Sequence, residues 1–205
     1  SVETGTIIAA VFIVLYTMLA GLVSVAYTDV ANGIIILFSF IIAIPIFLYE
    51  AGGFSGMATS FALMGKPDHM DFWGVYSTLD IINFCLPPFL LIMGDANMYQ
   101  RFFASKDAEG AKSATKVLII AVALAELMII TAAWISSSMI PDAEVGKYVL
   151  IYASHKFLPT FIGAIMMTTI VGIIISTADS FLLVPATTLM RDIYLNYIDP
   201  KANEK

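Results

Sequence analysis

Charge is scarce in this chain. Asp, Glu, Lys and Arg make up 13% of it, about half the share found in an ordinary soluble domain, while 60% of the residues are apolar and the mean hydropathy is +0.90. That balance excludes a soluble domain and identifies an integral membrane protein. Cysteine is almost absent: Cys85 stands alone, which excludes an internal disulfide framework and a cysteine-based metal site and leaves Cys85 to be read as a core residue. Histidine is confined to His69 and His155. The net charge of -6 includes acids lodged inside apolar segments, so it describes no acidic surface, and it argues against a nucleic-acid partner. No coiled coil, low-complexity tract or soluble domain is apparent, and residues 1–205 read as a single transmembrane region. The chain opens with neither a positively charged segment nor a small-residue cleavage site, and not with Met. The expectation is therefore no signal peptide and a truncated or processed start.

Crossing about 30 Å of hydrocarbon takes roughly 20 helical residues. About five transmembrane helices are expected, spanning roughly 5–27, 30–49, 72–104, 114–140 and 157–192, with the first two joined by a tight turn at "YTD" (Tyr27 to Asp29). The loops then alternate between two sides. One side holds seven basic residues (Arg101, Lys106, Lys112, Lys116, Arg191, Lys201, Lys205) and the other three (Lys66, Lys147, Lys156), so the segment's N-terminus is expected outside and its C-terminus in the cytoplasm. The stretch "KYVLIYASHKF" reads as an outer interfacial helix, because Tyr148, Tyr152, His155 and Lys156 suit a membrane boundary.

Ionisable residues inside a span mark function by default, since a charge at the bilayer centre costs at least about 2.5 kcal/mol. Asp80, Asp95, Glu126 and Asp179 all need an account. Asp80 falls near the outer end, where water reaches it. In the last span Gly172, Ser176, Ser180 and Thr187 repeat at spacings of four, four and seven and so form one helical stripe, flanked by Thr177 and Asp179. Such a stripe is either a small-residue packing face or a set of hydroxyl oxygens for a hard cation. Counted back from Arg191, Ser176 lies about 22 Å from the inner boundary, near the bilayer middle. In the third span Pro87, Pro88 and Gly94 predict a broken helix near Pro87–Gly94, which is either an ordinary kink with Asp95 close to the inner surface or the break that lines a transporter's midplane site. Glu126 reads either as a structural hydrogen bond to a neighbouring helix or as part of ion handling.

Three stretches resemble consecutive signatures of the sodium/solute symporter family, whose members carry sugars, proline, pantothenate and other small solutes. They are "YTMLAGLVSVAYTDVANG" (Tyr16 to Gly33), "NMYQRFFASKDAEGAKSA" (Asn97 to Ala114) and "STADSFLLVPATTLMRDIY" (Ser176 to Tyr194). The resemblance implies an all-α inverted-repeat core of five plus five helices, of which this chain supplies the last two helices of the first repeat and the first three of the second. It implies sodium-coupled transport of a small organic solute by alternating access in the cell membrane, with no enzymatic activity and no cofactor besides sodium as coupling ion. Partners would be membrane lipid, the solute and the remaining helices of the same transporter. A sodium site would take the hydroxyls of Ser176 and Thr177 with the carbonyl of Ile173, completed by a broken helix this chain lacks. Asp29 would mark a second cation site or exit route with Ser180 as partner. Asp95 would face the substrate and Asn97 would lie near the inner gate, leaving Glu126 and Asp179 as intramembrane polar groups without an assigned role. Two departures stand out: Ala20-Gly21 replaces the usual Gly-Gly pair, and Asp95 stands where neutral groups are common, favouring a solute with an amino or hydroxyl donor.

Two other classes are open on the residues alone. An intramembrane aspartyl protease would need Asp95 and Asp179 to share a proton. A structural helix bundle would use the polar groups only for packing and would tolerate Asp29→Asn.

Overall fold

The computed structural model describes residues 2–141 and 146–200, apart from the side chains at 2 and 20–24. Lys201 and Lys205, and the side chains of Ala20 and Gly21, therefore lie outside the described residues. Among those described, the secondary structure is entirely helical: α1 (Val2–Glu50), α2 (Gly53–Leu63), α3 (Thr78–Met93), α4 (Ala96–Phe103), α5 (Ala108–Met139), α6 (Val149–Phe157) and α7 (Thr160–Thr188), the last continued by a π-helical segment, Leu189–Ile198. Short 3-10 turns occupy Pro67–Met70 and Gly146–Tyr148.

Local chemistry explains the boundaries. Ser77 and Asp80 form a reciprocal capping box at the start of α3, which satisfies two backbone donors that the first helical turn leaves unpaired. Asp107 caps α5 by accepting from the Gly110 amide at 2.7 Å. Leu158, forced toward extended backbone by the proline after it, separates α6 from α7. The α1–α2 turn runs through Gly52 and Gly53 at φ 75° and 70°, a region in which side chains clash with their own backbone.

The expected turn at "YTD" is absent. Helix α1 passes through Tyr27, Thr28 and Asp29 without interruption, and Thr28 donates back to the Val25 carbonyl at 2.9 Å. No proline or positive-φ residue stops the helix there, and Asp29 finds side-chain partners within the bundle, so its charge does not force a loop.

The expected break near Pro87–Gly94 falls at the end of that stretch, not at the prolines. Helix α3 continues through Pro87 and Pro88, and the chain bends by 40° at Gly94-Asp95 instead. Each proline removes one donor from a helix that is otherwise paired, whereas Gly94 and Asp95 leave helical geometry altogether and Asp95 begins the next helix as its cap.

The expected five spans resolve differently as well. Val25–Glu50, Ala108–Met139 and Thr160–Ile198 are each long and apolar enough to cross a membrane; α3 with α4 makes a fourth if the bent pair counts as one span, and Glu3–Leu19 is a shorter apolar stretch. Cys85 is exposed on α3 and not part of the core. The stretch expected at the outer interface forms a separate helix, α6.

Helices α1 and α7 form the spine and run antiparallel, as three successive pairings show. The Ser39 and Thr169 hydroxyls lie 2.7 Å apart, Gly172 abuts Asn32, and Ser176 donates to Asp29. Around one end of the spine, Phe40 and Phe47 of α1, Met57 and Phe61 of α2, Ile135 of α5 and Met166 of α7 are fully buried against one another. Close approach of α6 depends on Gly163, where an added Cβ would lie 2.7 Å from the Ser154 carbonyl oxygen. Beyond this cluster most large apolar side chains are exposed, Leu19, Phe38, Leu91 and Ile130 among them.

Candidate functional site

Away from the apolar cluster, α1, α4 and α7 enclose an open cavity of about 300 Å³ lined by Asp29, Asp95, Asn97, Arg101, Ser176, Thr177, Ser180 and Phe181. Six of the residues singled out from sequence meet here, five of them from three separate motifs and Asp95 from the bend ahead of the second. The bend after Met93 delivers Asp95 and Asn97 to the cavity, and the four-residue repeat on α7 delivers Ser176 and Ser180.

The polar contacts form a short network. Arg101 Nη2 donates to Asp29 Oδ2 at 2.7 Å and to Ser180 Oγ at 2.7 Å. Ser176 Oγ donates to Asp29 Oδ1. Asp29 and Ser180 thus meet through Arg101 and not directly. Asp95 Oδ1 accepts from the Asn97 amide at 2.9 Å and from Asn97 Nδ2 at 3.1 Å. Thr177 Oγ1 donates to the Ile173 carbonyl at 2.8 Å, so the three oxygens expected around one sodium ion lie within a turn of α7. Two carboxylates against one guanidinium leave the cavity with an excess of one negative charge, which favours a monovalent cation over an anion.

Two other acids are elsewhere. Asp179 points away from the cavity into the α1–α7 interface, where Thr17 Oγ1 lies 2.5 Å from its Oδ1. Glu126 is exposed on α5 and does not line the cavity. Asp95 is engaged with Asn97 and Asp179 with Thr17, an arrangement that does not pair the two as a proton-sharing dyad. Among the described residues no group of three or more His, Cys, Asp or Glu could hold a metal ion, so a cation here would need hydroxyl or carbonyl oxygens beside the carboxylates of Asp29 and Asp95.

Sequence reasoning missed Arg101 and Thr17. Arg101 counted only as an inner-surface charge, yet it lies four residues after Asn97 and hence on the same face of α4. Thr17 carries no comparable signal, since nothing local distinguishes it from a helical threonine bonded to its own backbone.

All residues from 1 to 205 match the sequence profile of the Sodium:solute symporter family. The chain belongs to the sodium:solute symporter family. Its relatives in that family include the osmoregulated proline transporter OpuE of Bacillus subtilis, 28% identical over 99% of this chain and 42% of the relative. The sodium/pantothenate symporter of Escherichia coli is 24% identical over 95% of this chain and 41% of the relative; that of Haemophilus influenzae is 24% identical over the whole chain and 43% of the relative. The chain thus spans about two fifths of the length of these curated relatives. No solved structure matches it. Sodium:solute symporters are multi-pass membrane transporters and not enzymes, which removes the aspartyl protease reading.

Proposed function

We propose that this chain is the central part of a sodium-coupled symporter in the cell membrane, with its N-terminal end outside and its C-terminal end cytoplasmic. It moves a small organic solute by alternating access. The observation that carries this reading is the convergence, in one cavity of a symporter-family chain, of the Ser176-Thr177 pair with Asp29, Ser180, Asp95 and Asn97. Sodium is bound by Ser176 and Thr177 with the Ile173 carbonyl, after both hydroxyls rotate away from Asp29 and Ile173 to present lone pairs to the ion. The remaining oxygens come from helices outside this segment, which also cover the apolar faces left open on α1, α3 and α5. Asp29 and Ser180 form the second cation position or exit route. The inward sodium gradient drives transport because the ion binds one conformation better than the other.

Asp95 faces the solute at the bend, the position at which broken helices present substrate groups in secondary transporters. The relatives are named for proline and pantothenate, and both molecules carry hydrogen-bond donors that a carboxylate accepts; this chain's solute belongs to that chemical class. Sodium-dependent uptake by the full-length parent protein tests the site. Replacing both Ser176 and Thr177 by Ala abolishes sodium stimulation while leaving the protein folded in the membrane. Unchanged sodium dependence in that double variant defeats the assignment.

A further inference from the structure

At the packed end of the spine, away from the cavity, a second pocket of about 260 Å³ lies where the ends of α2 and α5 meet the start of α6. Its walls are apolar, formed by Phe61 and Met64 at the end of α2, Ile140 after α5 and Val149 at the start of α6. Phe61 is fully buried, whereas Lys66 and His69, which also line the pocket, are exposed.

The chain builds this edge locally. Gly65 takes φ 70°, the left-handed conformation that ends many helices, and the Gly65 and Lys66 amides donate to the Ala62 and Phe61 carbonyls at 3.1 and 2.8 Å. In such a termination the residue after the glycine folds back toward the helix, a place commonly held by an apolar side chain. Here it is a lysine, whose methylenes suit the apolar wall while its ammonium stays in water. The frame is tied across elements as well. Ser60 Oγ donates to the Ser138 carbonyl at 2.6 Å and Trp134 Nε1 to the His69 carbonyl at 2.8 Å, and the His69 and Phe61 rings pack with centroids 5.1 Å apart. The pocket is therefore formed before any ligand arrives.

Its charge is of one sign. No carboxylate lines the pocket, and among the described residues none pairs with Lys66. Asp68 and Asp71 flank His69 in the chain without lining the pocket; Asp142 and Glu144 lie outside the described residues. Ser137 Oγ has committed its proton to the Trp134 carbonyl at 2.7 Å, which leaves Lys66 and the His69 ring as the side-chain donors.

We propose that this pocket binds a small amphipathic carboxylate, with its anionic end on Lys66 and the His69 N–H and its apolar body against Phe61, Met64, Ile140 and Val149. The volume falls just below about 300 Å³, where pockets for drug-sized ligands begin, so it holds a short chain or a single ring and not a whole lipid. A neutral apolar ligand leaves the ammonium unused, and an anion without an apolar body leaves the walls against water. The site stands independently of the sodium reading.

The test uses the full-length parent protein in phosphatidylcholine nanodiscs, labelled with a diazirine-bearing pentanoate and mapped by mass spectrometry. Label lands on residues 61–70 and 137–149. Straight-chain carboxylates protect against it, their potency rising by up to about fourfold per CH₂ from propionate to hexanoate. Lys66→Gln weakens protection by hexanoate about fivefold, the upper range for an exposed ion pair, and leaves protection by hexan-1-ol unchanged; Lys66→Arg keeps most of the hexanoate effect. Label confined to other segments overturns the site, and hexan-1-ol as potent as hexanoate, or hexanoate protection untouched by Lys66→Gln, overturns the anion. Loss of label when phosphatidylglycerol replaces part of the phosphatidylcholine gives the pocket to a lipid headgroup and overturns the small ligand. Should Lys66→Gln fail to fold, Val149→Phe fills the pocket from its wall and removes the label; label that persists there overturns the proposal.

Discussion

The two ends of the α1–α7 spine are joined by different physics. Around Phe47, Met57 and Met166 the helices meet through close apolar packing, with Gly163 letting α6 approach to backbone contact. Around Asp29 and Ser176, about 15 Å along α7, they meet through hydrogen bonds to charged groups beside an open cavity. Lipid tails offer apolar side chains other dispersion contacts, so the packed end is held by its close shape match, which any shift would open into voids. Hydrogen bonds can be exchanged one for another. An ion able to replace the Arg101 or Ser176 contacts rearranges the polar end at little net cost, while the packed end stays as it is. Division of this kind suits a transporter, which needs a fixed scaffold and a site that opens.

Breaking the packed end has the largest expected effect. Phe47→Ala removes a fully buried ring and lowers stability by about 3 kcal/mol, seen as a fall in the unfolding temperature of the full-length protein in lipid, with the sodium dependence of the remaining folded protein unchanged. A shift in sodium affinity comparable to the loss of stability would erase the distinction between the two ends.

Removing the cation of the polar end comes next. Arg101→Ala leaves Asp29 with Ser176 alone and costs about 1 kcal/mol, because the guanidinium is 44% exposed and such pairs are partly screened. Its larger signature is in function: apparent sodium affinity changes, and Arg101→Lys restores less than half of the difference, since an ammonium lacks the planar geometry of guanidinium. The check is sodium-titrated uptake at two ionic strengths. The smallest effect belongs to Glu126→Gln, where an exposed side chain outside both regions changes stability by less than about 0.5 kcal/mol and leaves sodium dependence intact. A strong phenotype there would assign Glu126 a partner outside the described residues.

Much of the site was legible in the residues themselves. The four-residue repeat on α7 put Ser176 and Ser180 on one face, because helical geometry is local and depends on nothing else. Asp95 was marked by Gly94, at the end of the expected break; the prolines ahead of it are absorbed within α3, and the chain leaves helical geometry only at Gly94, where Asp95 caps the next helix. The turn at Asp29 failed for a related reason. A charge in an apolar run signals either a loop or a partner on another helix, and only the arrangement of α4 shows that Arg101 is that partner.

Composition and periodicity by themselves determined that this is a membrane protein of long helices with a hydroxyl stripe and several acids within its apolar segments, since hydropathy and helical phase are properties of the chain alone. Which of those acids face the cavity was decided only by tertiary structure. Asp179 and Ser180 are neighbours in sequence, yet one bonds to Thr17 in the α1–α7 interface and the other to Arg101 in the cavity. Adjacent residues on a helix point about 100° apart, and what each one meets depends on how distant segments pack around it.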